Sequence, residues 1–287
     1  MDDKQKSRKY FDGHSSTFVN RNGYWNYDYR LTSRILKKRN VKKLVDIGCG
    51  NGAFLELFHK LSPGTKLAGL DLSHEMVLRS RVSLAKETGI NILLPYYPLV
   101  FEGSTLTDVY EMLYELYKKT LRKYRPENIC FMGGSSGGNL AIGMASYIND
   151  RGEGLPMPGK IYAGSPGTLL LTEEEKRRAG ELEKTDVIMS VKATENIWEG
   201  MTGGEKVPEY MKYLQLGNYY GLSDVYMSFG GDEVFLAGAD SIRRRLEKFG
   251  THVTVEIGEG MYHSYAMMPL VEDAQEGYRH FVEYIKE

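Results

Sequence analysis

Cysteine is scarce in this chain of 287 residues, and its net charge is close to zero. Two cysteines, Cys49 and Cys130, are too few for a disulfide framework, so the sequence predicts a reducing compartment. The 37 basic residues are balanced by 38 acidic residues, which leaves a net charge of -1. Such a balance argues against a nucleic-acid partner bound through bulk electrostatics.

Long apolar runs are also lacking. No run reaches the roughly 18 apolar residues of a membrane span, and the charged start MDDKQKSRKY lacks the apolar segment of a signal peptide. We therefore expect no membrane partner and a cytoplasmic location. Apart from His263, the histidines show no metal-ligand spacing with one another or with the cysteines, so the sequence predicts no metal site.

Small residues cluster in the segment NICFMGGSSGGN, residues 128–139, between an apolar run and the helical pattern of residues 140–148. This order predicts a strand, a tight turn and a helix. The turn fits G-x-S-x-G, the nucleophile elbow, in which a strained turn exposes a serine hydroxyl. Either Ser135 or Ser136 fits the central position, and spacing alone does not choose between them. A purely structural Gly/Ser-rich turn has the same pattern.

An acid and a histidine follow later in the chain, each after a predicted strand. The strand at 225–229 leads to Asp232 and Glu233, and the strand at 253–257 leads to His263. Serine, acid and histidine in this order are typical of the catalytic triad of α/β-hydrolases. In such a triad the histidine takes the serine proton and the carboxylate orients the ring. A loop histidine with an ordinary hydrogen bond is the alternative.

From about residue 82 to its end, the chain resembles the hormone-sensitive-lipase-like branch of the α/β-hydrolases, which contains esterases and acetyl-esterases. The sequence GGSSGG stands where that family usually has G-D-S-A-G-G, YPL at 97–99 with Glu102 resembles Y-P-L-A-P-E, and GMYH at 260–263 resembles G-M-x-H. The resemblance implies a serine carboxylesterase that cleaves small acyl esters through an acyl-enzyme, without a cofactor. The residues that it assigns to catalysis are Ser135, His263 and Glu233, with Asp232 as the alternative acid.

The H-G-G-G loop of that family, which normally provides N–H groups to the oxyanion hole, has no counterpart here. We expect the backbone N–H of Ser136 to be one oxyanion donor and an N–H of the glycine turn at 48–50, such as that of Gly50, to replace the other. Loss of one donor costs roughly a hundredfold to a thousandfold in rate. The sequence therefore predicts an impaired esterase.

A second glycine-rich turn, GCGNG at 48–52, separates a predicted strand at 43–47 from a helix, and a further strand at 66–70 ends at Asp71. Glycines allow close approach of a ligand to the backbone, and an acid after the next strand can accept from ribose hydroxyls. A structural turn fits the bare pattern equally well. In context, VDIGCGNG with LDLSHEM at 70–76 resembles the first two motifs of class I S-adenosylmethionine-dependent methyltransferases. That resemblance implies a cofactor site formed by Asp46, Gly48, Gly50, Gly52 and Asp71.

The chain is thus predicted to join a methyltransferase-like Rossmann half, residues 1–81, to an α/β-hydrolase-like part, residues 82–287, with a lid-like insertion at about 165–222. Both families have a doubly wound, mostly parallel α/β sheet with helices on both faces, so the two parts can share one continuous sheet. The later methyltransferase motifs are missing. The esterase is therefore the leading hypothesis; an S-adenosylmethionine-binding protein and a folded chimera without efficient activity are the alternatives.

Overall fold

The computed structural model describes residues 104–267 and 271–286, the strands at 43–47 and 66–70, and residues 90, 91, 93 and 95. Contacts between residues divide the chain into two units. The first unit contains residues 1–94 and 269–273, and the second contains residues 95–268 and 274–287.

The first unit contains two parallel strands, β1 (Lys43–Ile47) and β2 (Lys66–Leu70). Both strands have their predicted bounds. Their register places Ile47 opposite Leu70 at the carboxyl ends, so the chain leaves both strands at the same edge of the pair. The glycine turn at 48–52 and Asp71 lie outside the described residues.

A sheet of four parallel strands forms the centre of the second unit, and the order of the strands in the sheet is their order in the sequence. The strands are β3 (Cys130–Gly134), β4 (Lys160–Gly164), β5 (Asp224–Gly230) and β6 (His252–Gly258). Their prediction is confirmed, with small differences at the ends. Because the strands are parallel, all four carboxyl ends meet at one edge of the sheet, where open α/β sheets bind their ligands. A continuous sheet across both units stays a prediction.

Six α-helices lie in the described part of the second unit. They are α1 (Leu106–Leu121), α2 (Ser136–Arg151), α3 (Glu173–Leu182), α4 (Val191–Thr202), α5 (Ala239–Glu247) and α6 (Gln275–Lys286). Short 3-10 helices occur at Pro126–Asn128, Glu209–Met211, Leu214–Leu216, Val234–Gly238 and Glu272–Ala274. Within the described segments, none of the helices has the length and apolar character needed to cross a membrane.

Side-chain caps determine where several of these helices begin. The hydroxyl of Thr105 accepts from the backbone N–H of Asp108, whose carboxylate accepts in return from the N–H of Thr105. Thr172 and Glu175 form the same capping box at the start of α3. Each box satisfies N–H groups that have no partner inside the helix, and this stabilises the first turn.

Helix α2 is buried on two sides. Ile142 and Ala145 pack in the cluster that contains the sheet residues Ile161, Val225 and Met227. On its other side, α2 packs against α1 through the tyrosines of both helices, Tyr110, Tyr114 and Tyr147. Packing on both sides leaves α2 little freedom to move. The N-terminus of α2 is thereby held at the carboxyl edge of the sheet.

The contact between α1 and α2 yields a stability prediction. A Cβ atom added at Gly143 would lie 2.1 Å from the Oη of Tyr110, which is fully buried and donates a hydrogen bond to Asn139. Ala gains up to about 1 kcal/mol in helix propensity over Gly, but overpacking a core costs about 1–3 kcal/mol. We expect Gly143→Ala to lower the free energy of unfolding in urea. Gly180→Ala is the control: its Cβ would lie in open space on the exposed side of α3 and should raise stability by about 0.5–1 kcal/mol. Equal stabilisation by both substitutions would contradict this packing argument.

Candidate active site

Ser135 occupies the sharp turn between β3 and α2. Its backbone has φ 55° and ψ -119°, a region that residues with a side chain rarely adopt. Its N–H donates to the carbonyl of Gly164 at 2.8 Å. Its own carbonyl accepts from the N–H of Gly167 at 2.9 Å and of Asn139 at 3.1 Å. Three backbone hydrogen bonds therefore hold the strained conformation.

Close backbone contacts explain two of the glycines around this serine. A Cβ atom at Gly133 would lie 2.2 Å from the carbonyl oxygen of Gly137, so β3 and α2 can approach this closely only because residue 133 is glycine. A Cβ atom at Gly138 would lie 3.0 Å from the Cα of Pro166, in the loop after β4, so a side chain at 138 would crowd that loop.

Ser136 is the first residue of α2, and it is exposed. The N–H groups of a first helical turn have no acceptor inside the helix, and the N-terminal end of the helix dipole favours negative charge. The backbone N–H of Ser136 thus stands at a place suited to an oxyanion. Gly50, the other predicted donor, lies outside the described residues.

A buried histidine–carboxylate pair lies at the same edge of the sheet. The Nδ1 of His263 is 2.6 Å from Oε2 of Glu233, and these residues are 5% and 0% exposed. The other carboxylate oxygen, Oε1, accepts the backbone N–H of Gly230 at 3.0 Å. A carboxylate at Nδ1 keeps the proton on that nitrogen and leaves the lone pair on Nε2. Nε2 itself has no hydrogen-bond partner among the described residues.

The two adjacent carboxylates of the acid loop differ in position. Asp232 is partly exposed, and its backbone N–H donates to the carbonyl of Met261. Among the described residues, the carboxylate that bonds to the ring of His263 is that of Glu233 and not that of Asp232. The geometry therefore brings Glu233 to the histidine.

The residues beside Ser135 contact those beside His263. A Cβ atom at Gly134 would lie 3.5 Å from the Oγ of Ser264. The ring of Phe235 lies 5.3 Å from that of His263, and a Cβ atom at Gly167 would touch both Phe235 and the carbonyl of Ser135. Serine and histidine thus lie on the same side of the sheet. Nε2 of His263 makes no hydrogen bond to the hydroxyl of Ser135 in this structure.

Asp186 ties the acid loop to the predicted lid segment. Its Oδ2 accepts the backbone N–H of Val234, next to Glu233, at 2.8 Å, while Oδ1 accepts those of Ile188 and Met189, each at 2.8 Å. Asp186 is not among the predicted site residues. No local pattern marks it, because the two ends of the contact are far apart in the chain.

A cavity of about 390 Å³ lies between the predicted lid segment and the acid loop. Apolar side chains form much of its wall, and charged side chains lie beside them. The apolar residues are Leu169, Leu170, Leu171, Val191, Trp198, Val234 and Phe235, and the charged residues are Lys176, Glu195, Glu199 and Lys212. Phe235 belongs to this wall and also packs against His263.

Neither Cys130 nor a cluster of metal-ligating side chains forms a further reactive site in the described region. Burial raises the pKa of the Cys130 thiol to about 11, so this cysteine stays protonated at neutral pH. The described residues contain no group of three or more histidine, cysteine, aspartate or glutamate side chains that could hold a metal ion.

Two curated proteins of Mycobacterium tuberculosis are similar to the chain. A triacylglycerol lipase is 34% identical over 82 residues, which cover 29% of this chain and 18% of the lipase. The esterase LipU is 27% identical over 175 residues, which cover 57% of this chain and 56% of the esterase. The chain thus spans less than two thirds of either relative.

Solved structures of esterases have a similar fold. A hormone-sensitive lipase from a metagenome library superposes with a TM-score of 0.63 at 22% identity, and the match covers 73% of this chain and 70% of the lipase. The esterase EstE5 superposes with a TM-score of 0.61 at 21% identity, over 71% of this chain and 69% of the esterase.

A family model described as the α/β-hydrolase fold matches residues 71–267. The match includes the strands and loops that carry Ser135, Glu233 and His263, and it begins before the predicted join at residue 82. The methyltransferase resemblance of residues 1–81 stays a prediction. The chain belongs to the family of proteins with the α/β-hydrolase fold.

Proposed function

We propose that the protein is a serine esterase of small acyl esters, in which Ser135 is the nucleophile, His263 the general base and Glu233 the acid that orients the ring. One observation carries the proposal. A buried histidine whose Nδ1 is bonded to a carboxylate and whose Nε2 is unpartnered lies on the same side of the sheet as a serine in a strained strand-to-helix turn.

The reaction proceeds in two halves. Ser135 Oγ attacks the ester carbonyl carbon while Nε2 of His263 takes its proton, and the N–H of Ser136 donates to the resulting oxyanion. The tetrahedral intermediate expels the alcohol, which takes the proton from Nε2, and the acyl group stays on Ser135. A water molecule then repeats the attack with His263 as base, and the acid leaves. No cofactor takes part.

The buried Glu233 stabilises the positive charge that forms on His263 during the reaction. As Nε2 takes the proton, the imidazole becomes positive, and the carboxylate at 2.6 Å stabilises that charge in a site with little water. Stabilisation of the oxyanion is the weaker part of this mechanism. With the H-G-G-G loop absent, a second donor must come from elsewhere, and we propose Gly50 for it. A slow esterase is the expected result.

Two observations favour a small acyl ester as substrate. The cavity of about 390 Å³ shares Phe235 with the histidine site, and close to half of the residues that line it are apolar. Its volume lies near the lower end of the range of small-molecule pockets, about 300–1,000 Å³, so it has room for a small ester. The names of the two relatives, a triacylglycerol lipase and an esterase, support cleavage of a carboxylic ester.

A fluorophosphonate probe tests the nucleophile, because it labels only an activated serine. We expect the wild type and Ser136→Ala to be labelled and Ser135→Ala to stay unlabelled, as judged by gel fluorescence and by mass spectrometry of the labelled peptide. Ser136→Ala is a matched control, since it removes the neighbouring hydroxyl but keeps the backbone N–H of residue 136. Labelling of Ser135→Ala at the wild-type rate would remove Ser135 from the mechanism.

Paired amide substitutions test the acid. Glu233→Gln keeps the size of the side chain but loses the charge that fixes the tautomer and stabilises the imidazolium, so kcat should fall by about 10³–10⁴-fold. Asp232→Asn is the control and should leave kcat within about threefold, because the described hydrogen bond to the ring of His263 comes from Glu233 and not from this partly exposed neighbour. Hydrolysis of p-nitrophenyl acetate measures both. The reverse ranking would assign the acid to Asp232.

A second candidate function is the binding of S-adenosylmethionine by the first unit. It is favoured by the parallel pairing of β1 and β2, whose last residues, Ile47 and Leu70, lie opposite each other. The glycine turn and Asp71 follow these two residues directly in the chain. A strand, a glycine-rich turn and a second parallel strand followed by an acid, in this order, are typical of the start of a nucleotide-binding α/β unit.

Isothermal titration calorimetry of the whole chain with S-adenosylmethionine tests this candidate. Binding should give heat that is lost in Asp71→Ala, since the acid would hold the ribose hydroxyls. Ser135→Ala serves as the control and should bind as the wild type does. The absence of heat from the wild type at millimolar ligand would retire this function and leave the esterase proposal untouched.

A further inference from the structure

Two consecutive residues at the end of β4 connect the serine turn to the histidine loop. The carbonyl of Gly164 accepts the backbone N–H of Ser135 at 2.8 Å. The hydroxyl of the next residue, Ser165, accepts the backbone N–H of Ser264 at 2.7 Å. Ser264 directly follows His263. The position of the histidine relative to the nucleophile is therefore determined, in part, by Gly164, the last residue of β4, and by Ser165, which follows it.

The hydroxyl of Ser165 is held in a fixed place. Ser165 is fully buried, and its own N–H donates to the carbonyl of Ser228 at 2.6 Å, which ties it to β5. Ser165 and Ser264 both have positive φ, 46° and 60°. Residues with a side chain adopt this conformation only where their surroundings enforce it. The hydrogen bond between Ser165 and Ser264 is one of the contacts that enforce it.

We propose that Ser165 is a positioning residue, which acts through Ser264 to hold the imidazole of His263 in reach of Ser135. The proposal rests on the esterase function above. Glu233 orients the ring from one side through Nδ1, but a single hydrogen bond leaves the ring free to move with its backbone. The bond from Ser264 to Ser165 restrains that backbone. Ser165 itself touches neither substrate nor the reacting atoms.

Loss of the Ser165 hydroxyl has a specific consequence. The N–H of Ser264 lies in a buried turn, 4% exposed, and would lose its acceptor. A buried N–H without a partner is unfavourable, so the loop would move to find water or another acceptor. A displacement of about 1 Å at a general base can cost on the order of a hundredfold in rate.

Ser228 provides a matched comparison. It is 1% exposed, and its hydroxyl is 2.7 Å from the hydroxyl of the buried Tyr162. Ser228→Ala therefore removes a hydroxyl of the same type from the same sheet. Within the described hydrogen bonds, that hydroxyl does not reach the histidine loop. A general loss of stability should thus be similar in Ser165→Ala and Ser228→Ala, whereas a loss of positioning should occur only at 165.

Ser165→Gly separates positioning from backbone strain. Glycine adopts a φ of 46° readily, so this variant removes the hydroxyl and relieves strain together. If stability alone mattered, Ser165→Gly would recover activity relative to Ser165→Ala. If the hydrogen bond matters, both variants should lose activity. Ser165→Gly also keeps the test valid if Ser165→Ala fails to fold.

The experiment measures kcat and KM for ester hydrolysis, well below each variant's thermal midpoint. We expect kcat of Ser165→Ala and Ser165→Gly to fall about 10- to 100-fold with KM within about twofold, and kcat of Ser228→Ala to stay within about threefold. Fluorophosphonate labelling should slow in the same order. Equal losses in Ser165→Ala and Ser228→Ala, or recovery of kcat in Ser165→Gly, would overturn the proposal.

Absence of fluorophosphonate labelling at Ser135 in the wild type would refute the esterase function. In that case, a proton NMR measurement still tests whether Ser165 positions His263. The Nδ1 proton of a histidine bonded to a buried carboxylate resonates far downfield, and the peak is assigned by its absence in His263→Gln. It should be sharp in the wild type and Ser228→Ala, and shifted or broadened in both Ser165 variants. An unchanged peak in the Ser165 variants would overturn the positioning role independently of activity.

Discussion

The site depends on the close approach of two backbone segments, where the end of β3 meets the first turn of α2. Residue 133 has no side chain, and the carbonyl of Gly137 occupies the place that a side chain would need. The helix can therefore begin directly after the strand. The residue between them must then turn the chain sharply, and Ser135 does so at a positive φ. The strain is compensated by three backbone hydrogen bonds, one each to the end of β4, to the loop that follows β4 and to α2. A strained, well-held serine at the sheet edge is the result.

The order of the strands brings the other groups to this serine. Since β3, β4, β5 and β6 are parallel and neighbouring in sequence order, the loops after them leave the sheet side by side. The serine turn, the acid loop and the histidine loop therefore meet without any long excursion of the chain. The loop after β4 lies between them and binds both sides, through Gly164 and Ser165. Burial then makes the contact between His263 and Glu233 strong, because little water screens it.

Much of the second unit could be predicted from local patterns. Continuous apolar runs that end in glycine predicted the strands, because strands of a parallel sheet are buried on both faces, and the helical pattern of residues 140–148 predicted α2. The motifs also named Ser135, Glu233 and His263 as candidates. The contacts of Ser165 and Asp186 could not be predicted in this way. Each joins loops distant in the chain, and a single serine or aspartate in a loop carries no pattern that reveals its partner.

The sequence by itself determined the elements and the order of the reactive residues, since local spacing and glycine content depend only on neighbours in the chain. Spacing alone left two choices open, Ser135 or Ser136 and Glu233 or Asp232, because adjacent residues of similar chemistry fit a motif equally well. The family resemblance favoured Ser135 and Glu233, and the tertiary structure puts the members of each pair in different surroundings. It gave the strained turn to Ser135 and the helical start to Ser136, and it bonded Glu233, but not Asp232, to the imidazole. The distances between loops determine which of two adjacent residues reaches its partner. Those distances are set by the packing of α2 against the sheet and by the pairing of the strands.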